Sequence, residues 1–151
     1  MRVFVSSGQP GFSSEVSADA RHVQARKFER TVHVAFATGP GTITTPEGVV
    51  ITRPGDAIIT GTAGEHWRVS RKHFPDKYRP VAPTVAGQPG LYASLPYRVL
   101  ALKMGEPFEV ILADGQSGLH GRTGDWLVDY GDGSLGVVAT AIFDTTYEII
   151  A

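Results

Sequence analysis

Short apolar runs alternate with polar residues along much of the chain. Val32 and Val34 alternate with Thr31, His33 and Ala35, and Val23 and Ala25 do the same ahead of them. A period of two marks a strand with one buried face. The pattern predicts equivalent strands at Val23–Lys27 and around Val99–Lys103, then at Thr31–Phe36 and Pro107–Leu112. Further strands are predicted at Asp56–Thr60, Asp125–Asp129, His66–Val69 and Leu135–Ala139, with hairpin turns at Gly61–Gly64 and Tyr130–Gly133. The second turn holds Gly131-Asp132-Gly133, a strong tight-turn signal. Phe74 and Tyr78, like Phe143 and Tyr147, stand four apart, so each pair shares a face of one helical turn as apolar anchors. Ser14-Glu15-Val16-Ser17 reads as the cap of a short helix toward Arg26, in competition with the strand at Val23–Lys27.

The two halves repeat one another. Across Arg53–Arg79 and Arg122–Glu148, Arg53, Gly55, Asp56, Gly64, Val69, Phe74 and Tyr78 recur as Arg122, Gly124, Asp125, Gly133, Val138, Phe143 and Tyr147. Chance at average composition gives about two such identities. A second block matches Val23, Ala25, Lys27 and Val34 to Val99, Ala101, Lys103 and Val110, which assigns the first copy a longer middle at Ala37–Ile51. Its Gly39-Pro40-Gly41 and Pro46-Glu47-Gly48 read as turns. The expected fold is mainly β: two related antiparallel β-meander units with short helical turns, packed as a pseudo-symmetric compact domain. Residues 1–19 form an N-terminal segment, 20–80 the first repeat, 81–90 a linker and 91–151 the second repeat.

Thr45-Pro46-Glu47-Gly48 precedes Pro54-Gly55-Asp56, an apolar strand, Gly64-Glu65-His66-Trp67, and then Phe74 and Tyr78, a pattern that resembles a small bacterial and phage domain called PGDYG. The second copy keeps Gly124-Asp125, Gly133, Phe143 and Tyr147, but has Gly133-Ser134-Leu135 in place of the Gly-Glu-aromatic piece. The resemblance implies a scaffold and no catalytic residues. It also implies a bacterial or phage source.

Composition narrows the function classes. Fourteen Lys and Arg against 15 Asp and Glu give a net charge of −1, which argues against a nucleic-acid coat. No apolar run is long enough for a membrane helix, and no signal-peptide core follows Met1, so the expectation is a cytoplasmic protein with no membrane partner. With no Cys, thiol catalysis and Cys-ligated zinc are excluded. From Leu91 onward three basic residues face eight acidic ones, which leaves the preceding part basic. This polarity suits either the steering of an anion to the first copy or the pairing of the two copies.

Candidate chemistry is sparse. Arg53 with Asp56, and Arg122 with Asp125, are the repeated polar pairs, read either as an anion site or as Asp capping its own turn. Glu65, His66, Trp67 and Arg68 bring an acid, a base, a ring and a cation together, but strand geometry turns Glu65 and Trp67 away from His66 and Arg68. A metal site from Glu65, His66 and His73 would need His and carboxylates only. Asp129 and Asp132 read as turn carboxylates in water. The leading expectation is a non-catalytic accessory domain, without a cofactor, that binds a small anionic ligand or protein partner. The contrary one is a small enzyme with Arg53, Asp56 and His66 in one pocket. A third is a structural homo-oligomer assembled through edge strands.

Overall fold

In the computed structural model, which describes residues 1–12 and 14–151, the period-two segments are strands. The chain divides into two units, one made of Met1–Lys27 with Tyr97–Ala151 and the other of Phe28–Pro96.

The Phe28–Pro96 unit is built on β3 (Thr31–Phe36), β6 (Ala57–Thr60), β7 (His66–Val69), β8 (Tyr78–Pro80) and β9 (Gly90–Ser94). Their order in the sheet is β7-β6-β3-β9-β8, all antiparallel. A separate hairpin, β4 (Gly41–Thr45) and β5 (Gly48–Thr52), forms where only turns were expected. Thr45 makes its two-residue turn, its Oγ1 accepting from the N–H groups of Glu47 and Gly48. β3 alternates as its sequence does: Val32 and Val34 are buried, while Thr31, His33 and Ala35 are exposed. The buried face packs with Ala57, Ile59, Val69 and Tyr92 against α2 (Phe74–Lys77). Phe74 stacks on Tyr78 at 5.1 Å, as their spacing predicts.

The other unit carries β2 (Val23–Lys27), β10 (Arg98–Lys103), β13 (Trp126–Asp129), β14 (Leu135–Val138) and β15 (Tyr147–Ile149), in the order β14-β13-β10-β2-β15. A second sheet joins β1 (Arg2–Val5) in parallel to β11 (Phe108–Ile111), which pairs with β12 (Gly118–Gly121). The five-stranded sheet is covered on both faces. Leu100, Leu102 and Leu127 pack with Phe4, Phe108 and Val16 of α1 (Glu15–Ala18). Val99, Ala101 and Val128 pack with Trp126, Phe143 and Tyr147, Phe143 lying on α3 (Thr140–Thr146). That is why Val99–Leu102 is a continuous apolar run while β3 alternates. Ser14 does cap the short helix, with a capping box to Ser17, but the helix ends at Ala18 and Val23–Lys27 is strand.

One expected correspondence differs from the strand pairing. Val23–Lys27 does not hold the place of Val99–Lys103; the two are antiparallel neighbours, with Ala25 opposite Val99 and Val23 opposite Ala101. Residues 81–90 join β8 to β9 inside the Phe28–Pro96 unit. Charge is also redistributed, because Arg2, Arg21, Arg26 and Lys27 belong with the acidic C-terminal part. The Phe28–Pro96 unit carries 7 basic and 5 acidic residues, net +2, and the remainder 7 and 10, net −3.

Candidate functional site

The Gly-Asp turns are built alike. Gly55 and Gly124 take φ of 87° and 95°, a left-handed backbone that favours glycine. The Gly55 N–H donates to the Ala37 carbonyl at 2.8 Å, and the Gly124 N–H to that of Met104 at 2.8 Å. Each Asp folds back on its own turn: Asp56 Oδ2 accepts the Arg53 N–H, and Asp125 Oδ2 the Arg122 N–H, both at 2.9 Å. The turn-capping role is therefore present in both.

The surroundings of the two carboxylates differ. Asp56 is buried, and its second oxygen accepts the N–H of Arg71 at 3.1 Å. Arg68 comes within 3.9 Å of it and donates to the Ile51 carbonyl at 2.6 Å. Asp125 is half-buried, and among the described residues only the Arg122 N–H donates to its side chain. Where Arg71 stands in one unit, Thr140 stands in the other, its hydroxyl donating to the Gly124 carbonyl. Arg71 lies over Gly55 so closely that a Cβ there would sit 2.7 Å from its Cδ. Arg53, Arg71 and Lys72 are exposed, and among the described residues no side-chain partner is recorded for any of them.

Glu65, His66 and Trp67 lie at the β6–β7 turn and on β7. His66 sits opposite Thr60, its Nδ1 3.1 Å from the Thr60 hydroxyl. Thr60 is at the far end of β6 from Asp56, about 13 Å along the chain. Arg53 and Asp56 are thus together while His66 is not with them. Glu65 and Trp67 do share a face: a Cβ on Gly61 would meet both, at 1.9 Å and 2.8 Å. Trp67 is half-buried against the core cluster and hydrogen-bonds Tyr78, whose hydroxyl burial pushes up to about 12. Arg122 and Asp125 belong to the other unit, and among the described residues no group of three or more His, Asp or Glu gathers to hold a metal.

One carboxylate was misread as a solvated turn residue. Asp129 is 2 % exposed, accepting from Ser14 Oγ at 2.6 Å and from the Gly131 N–H at 2.8 Å. It lines a recess of about 250 Å³ with Phe4, Ser7, Gly133 and Leu135. Asp132 is half-buried, with Oδ1 accepting the Ser134 N–H at 2.9 Å. No local pattern in the sequence links Ser14 to Asp129, since 115 residues separate them.

The model of the family described as PGDYG protein matches residues 48–148, from β5 to the start of β15, and so includes both Gly-Asp turns. The chain belongs to the PGDYG family. The family carries no assigned activity, so its match adds a scaffold and not a chemistry. No curated protein and no solved structure matches the chain. Among the described residues of this PGDYG protein, no helix is long and apolar enough to cross a membrane.

Proposed function

We infer that this PGDYG protein is a non-catalytic binding domain that takes an anionic group at the Gly55-Asp56 turn of the Phe28–Pro96 unit. The observation that carries this reading is the division of labour around Asp56. Its carboxylate is occupied by the backbone N–H groups of Arg53 and Arg71, which fixes the backbone of both residues, while their side chains are exposed and, among the described residues, have no side-chain partner. Two arginine side chains anchored by their backbones at one turn suit a carboxylate or phosphate. Exposed Lys72 and the +2 charge of the unit add to the attraction. Capping and ligand binding are then compatible roles for one turn. The enzyme reading is weaker, because Asp56 is buried in hydrogen bonds to backbone and lies remote from His66.

The test is a titration of the ¹⁵N-labelled protein with inorganic phosphate. Saturable shifts at Arg53–Asp56 and Arg71 are expected, abolished in Arg53→Gln/Arg71→Gln and kept in Arg122→Gln. Absence of saturation, or equal shifts at Arg122–Asp125, would refute the reading.

A further inference from the structure

The strand pairs of the two units share a register, residue for residue. Leu100 opposite Asp129 corresponds to His33 opposite Thr60, and Trp126 opposite Val138 to Ala57 opposite Val69. Phe108 opposite Gly121 corresponds to Gly41 opposite Thr52. In each case the first partner moves by 67 or 69 residues, the two-residue difference falling in the hairpin loops after β4 and β11. The remaining two ladders depart from chain order. Arg98 opposite Arg26 corresponds to Thr31 opposite Ala93, and Tyr147 opposite Lys27 to Tyr78 opposite Ser94. In the sheet, β2 therefore has the place that β9 has in the other unit, although β2 precedes β3 and β9 precedes β10. The flanking hydrogen bonds match as well: the Lys27 N–H donates to the Tyr97 carbonyl at 2.9 Å, and the Ser94 N–H to the Arg30 carbonyl at 2.7 Å.

We propose that the chain is two copies of one unit, Val23–Pro80 and Gly90–Ile149, that have exchanged their opening strands. The first copy gives β2 to the sheet of the second, and the second gives β9 to the sheet of the first. The exchange defines an interaction surface: a slot between the central strand and the last strand of each copy, β10 and β15 or β3 and β8. Its fitting occupant is the opening strand of another copy of the same unit. Main-chain hydrogen bonds on both sides of the slot supply the recognition, which explains how Val-Gln-Ala-Arg-Lys and Gly-Leu-Tyr-Ala-Ser fill equivalent places with no position identical.

The experiment uses the intact chain, which has no Cys of its own. Lys27–Tyr97 and Arg30–Ser94 are the hydrogen-bonded pairs, so Arg26–Arg98 and Thr31–Ala93 are the close, non-hydrogen-bonded ones, suited to a disulfide. Arg26→Cys/Arg98→Cys and Thr31→Cys/Ala93→Cys are made in a chain with a protease site inserted between Ala86 and Gly87. Both pairs are expected to oxidise within one chain, so that cleavage leaves the halves linked on a non-reducing gel. The cleaved protein without added Cys is expected to run as one particle holding both halves in native mass spectrometry. Oxidation of only one pair, of neither, or only between chains would overturn the proposal. So would separation of the halves in native buffer. The disulfides form before cleavage, so a cleaved protein that loses its fold still yields a reading.

Discussion

Lys27 lies on β2 with 7 % of its surface exposed, its Nζ 5.4 Å from the centre of the Tyr97 ring. Burial disfavours the ammonium and pulls its pKa from 10.5 down to about 8. The folded protein therefore releases this proton near pH 8, while the unfolded chain holds it to about 10.5. Folding is penalised below pH 8, and the penalty lifts as pH rises through that window. At ~1.4 kcal/mol per unit the full effect is about 3 kcal/mol. Lys27→Met keeps an unbranched stem and removes the charge. Urea unfolding followed by circular dichroism, at pH 7 to 10, compares the two proteins. The variant is expected to gain about 3 kcal/mol over the parent at pH 7, offset by ~0.5–2 kcal/mol for the lost cation–π contact. That advantage should shrink by about 2–3 kcal/mol by pH 10. The size of the offset at pH 7 is secondary to the slope. Two stability curves that run parallel from pH 7 to 10 would refute the argument, since only a proton released on folding makes them converge.

The Gly-Asp turns separate by their partners. Asp56→Asn, which loses an acceptor for a buried N–H and the approach of Arg68, is expected to cost about 2 kcal/mol in thermal unfolding, and Asp125→Asn about 1 kcal/mol. Gly64 and Gly133 share a positive φ, but a Cβ at Gly64 meets nothing, whereas one at Gly133 lies 2.4 Å from the Gly8 backbone. Gly64→Ala should cost about 1 kcal/mol by chemical denaturation and Gly133→Ala at least about twice that. Phe143 stacks between Trp126 at 4.2 Å and Tyr147 at 4.9 Å, so Phe143→Ala should lose about 3–5 kcal/mol and the near-ultraviolet dichroism of that stack.

Strands with one exposed face could be read directly: Thr31–Phe36 and His66–Val69 begin and end where alternation and turn residues place them. The hairpin at Gly41–Thr52 was hidden because glycine and proline punctuate it, although its Val49-Val50-Ile51 is good strand material. The true partner of Val23–Lys27 was out of reach for another reason. Its counterpart Gly90–Ser94 matches it at no position, so only hydrogen-bond register reveals the equivalence. Arg53 and Asp56 were legible as a pair because Asp bonds within four residues. Arg71 was not, since it reaches that carboxylate from 15 residues away through a backbone N–H that any residue possesses. Asp129 likewise depends on Ser14, a contact made by folding and not by spacing.

The chain leaves the sheet of its first 27 residues at Lys27 and returns to it only at Tyr97. On a ribosome this sets a timetable. Once Pro96 has been made, every strand of the Phe28–Pro96 sheet exists, and that sheet can close. β1 and β2, synthesised earlier, then wait for β10 to β15, the last 55 residues (97 to 151). At the usual ~5–20 residues per second the wait lasts about 3–11 s. Throughout it β2 is a strand with two open edges, and Arg26 and Lys27 put charge on that bare segment when pairing with a neighbouring nascent chain is most dangerous. Lys27 is later buried at a cost to the finished fold, so the same residue protects the protein in the making and burdens it when made.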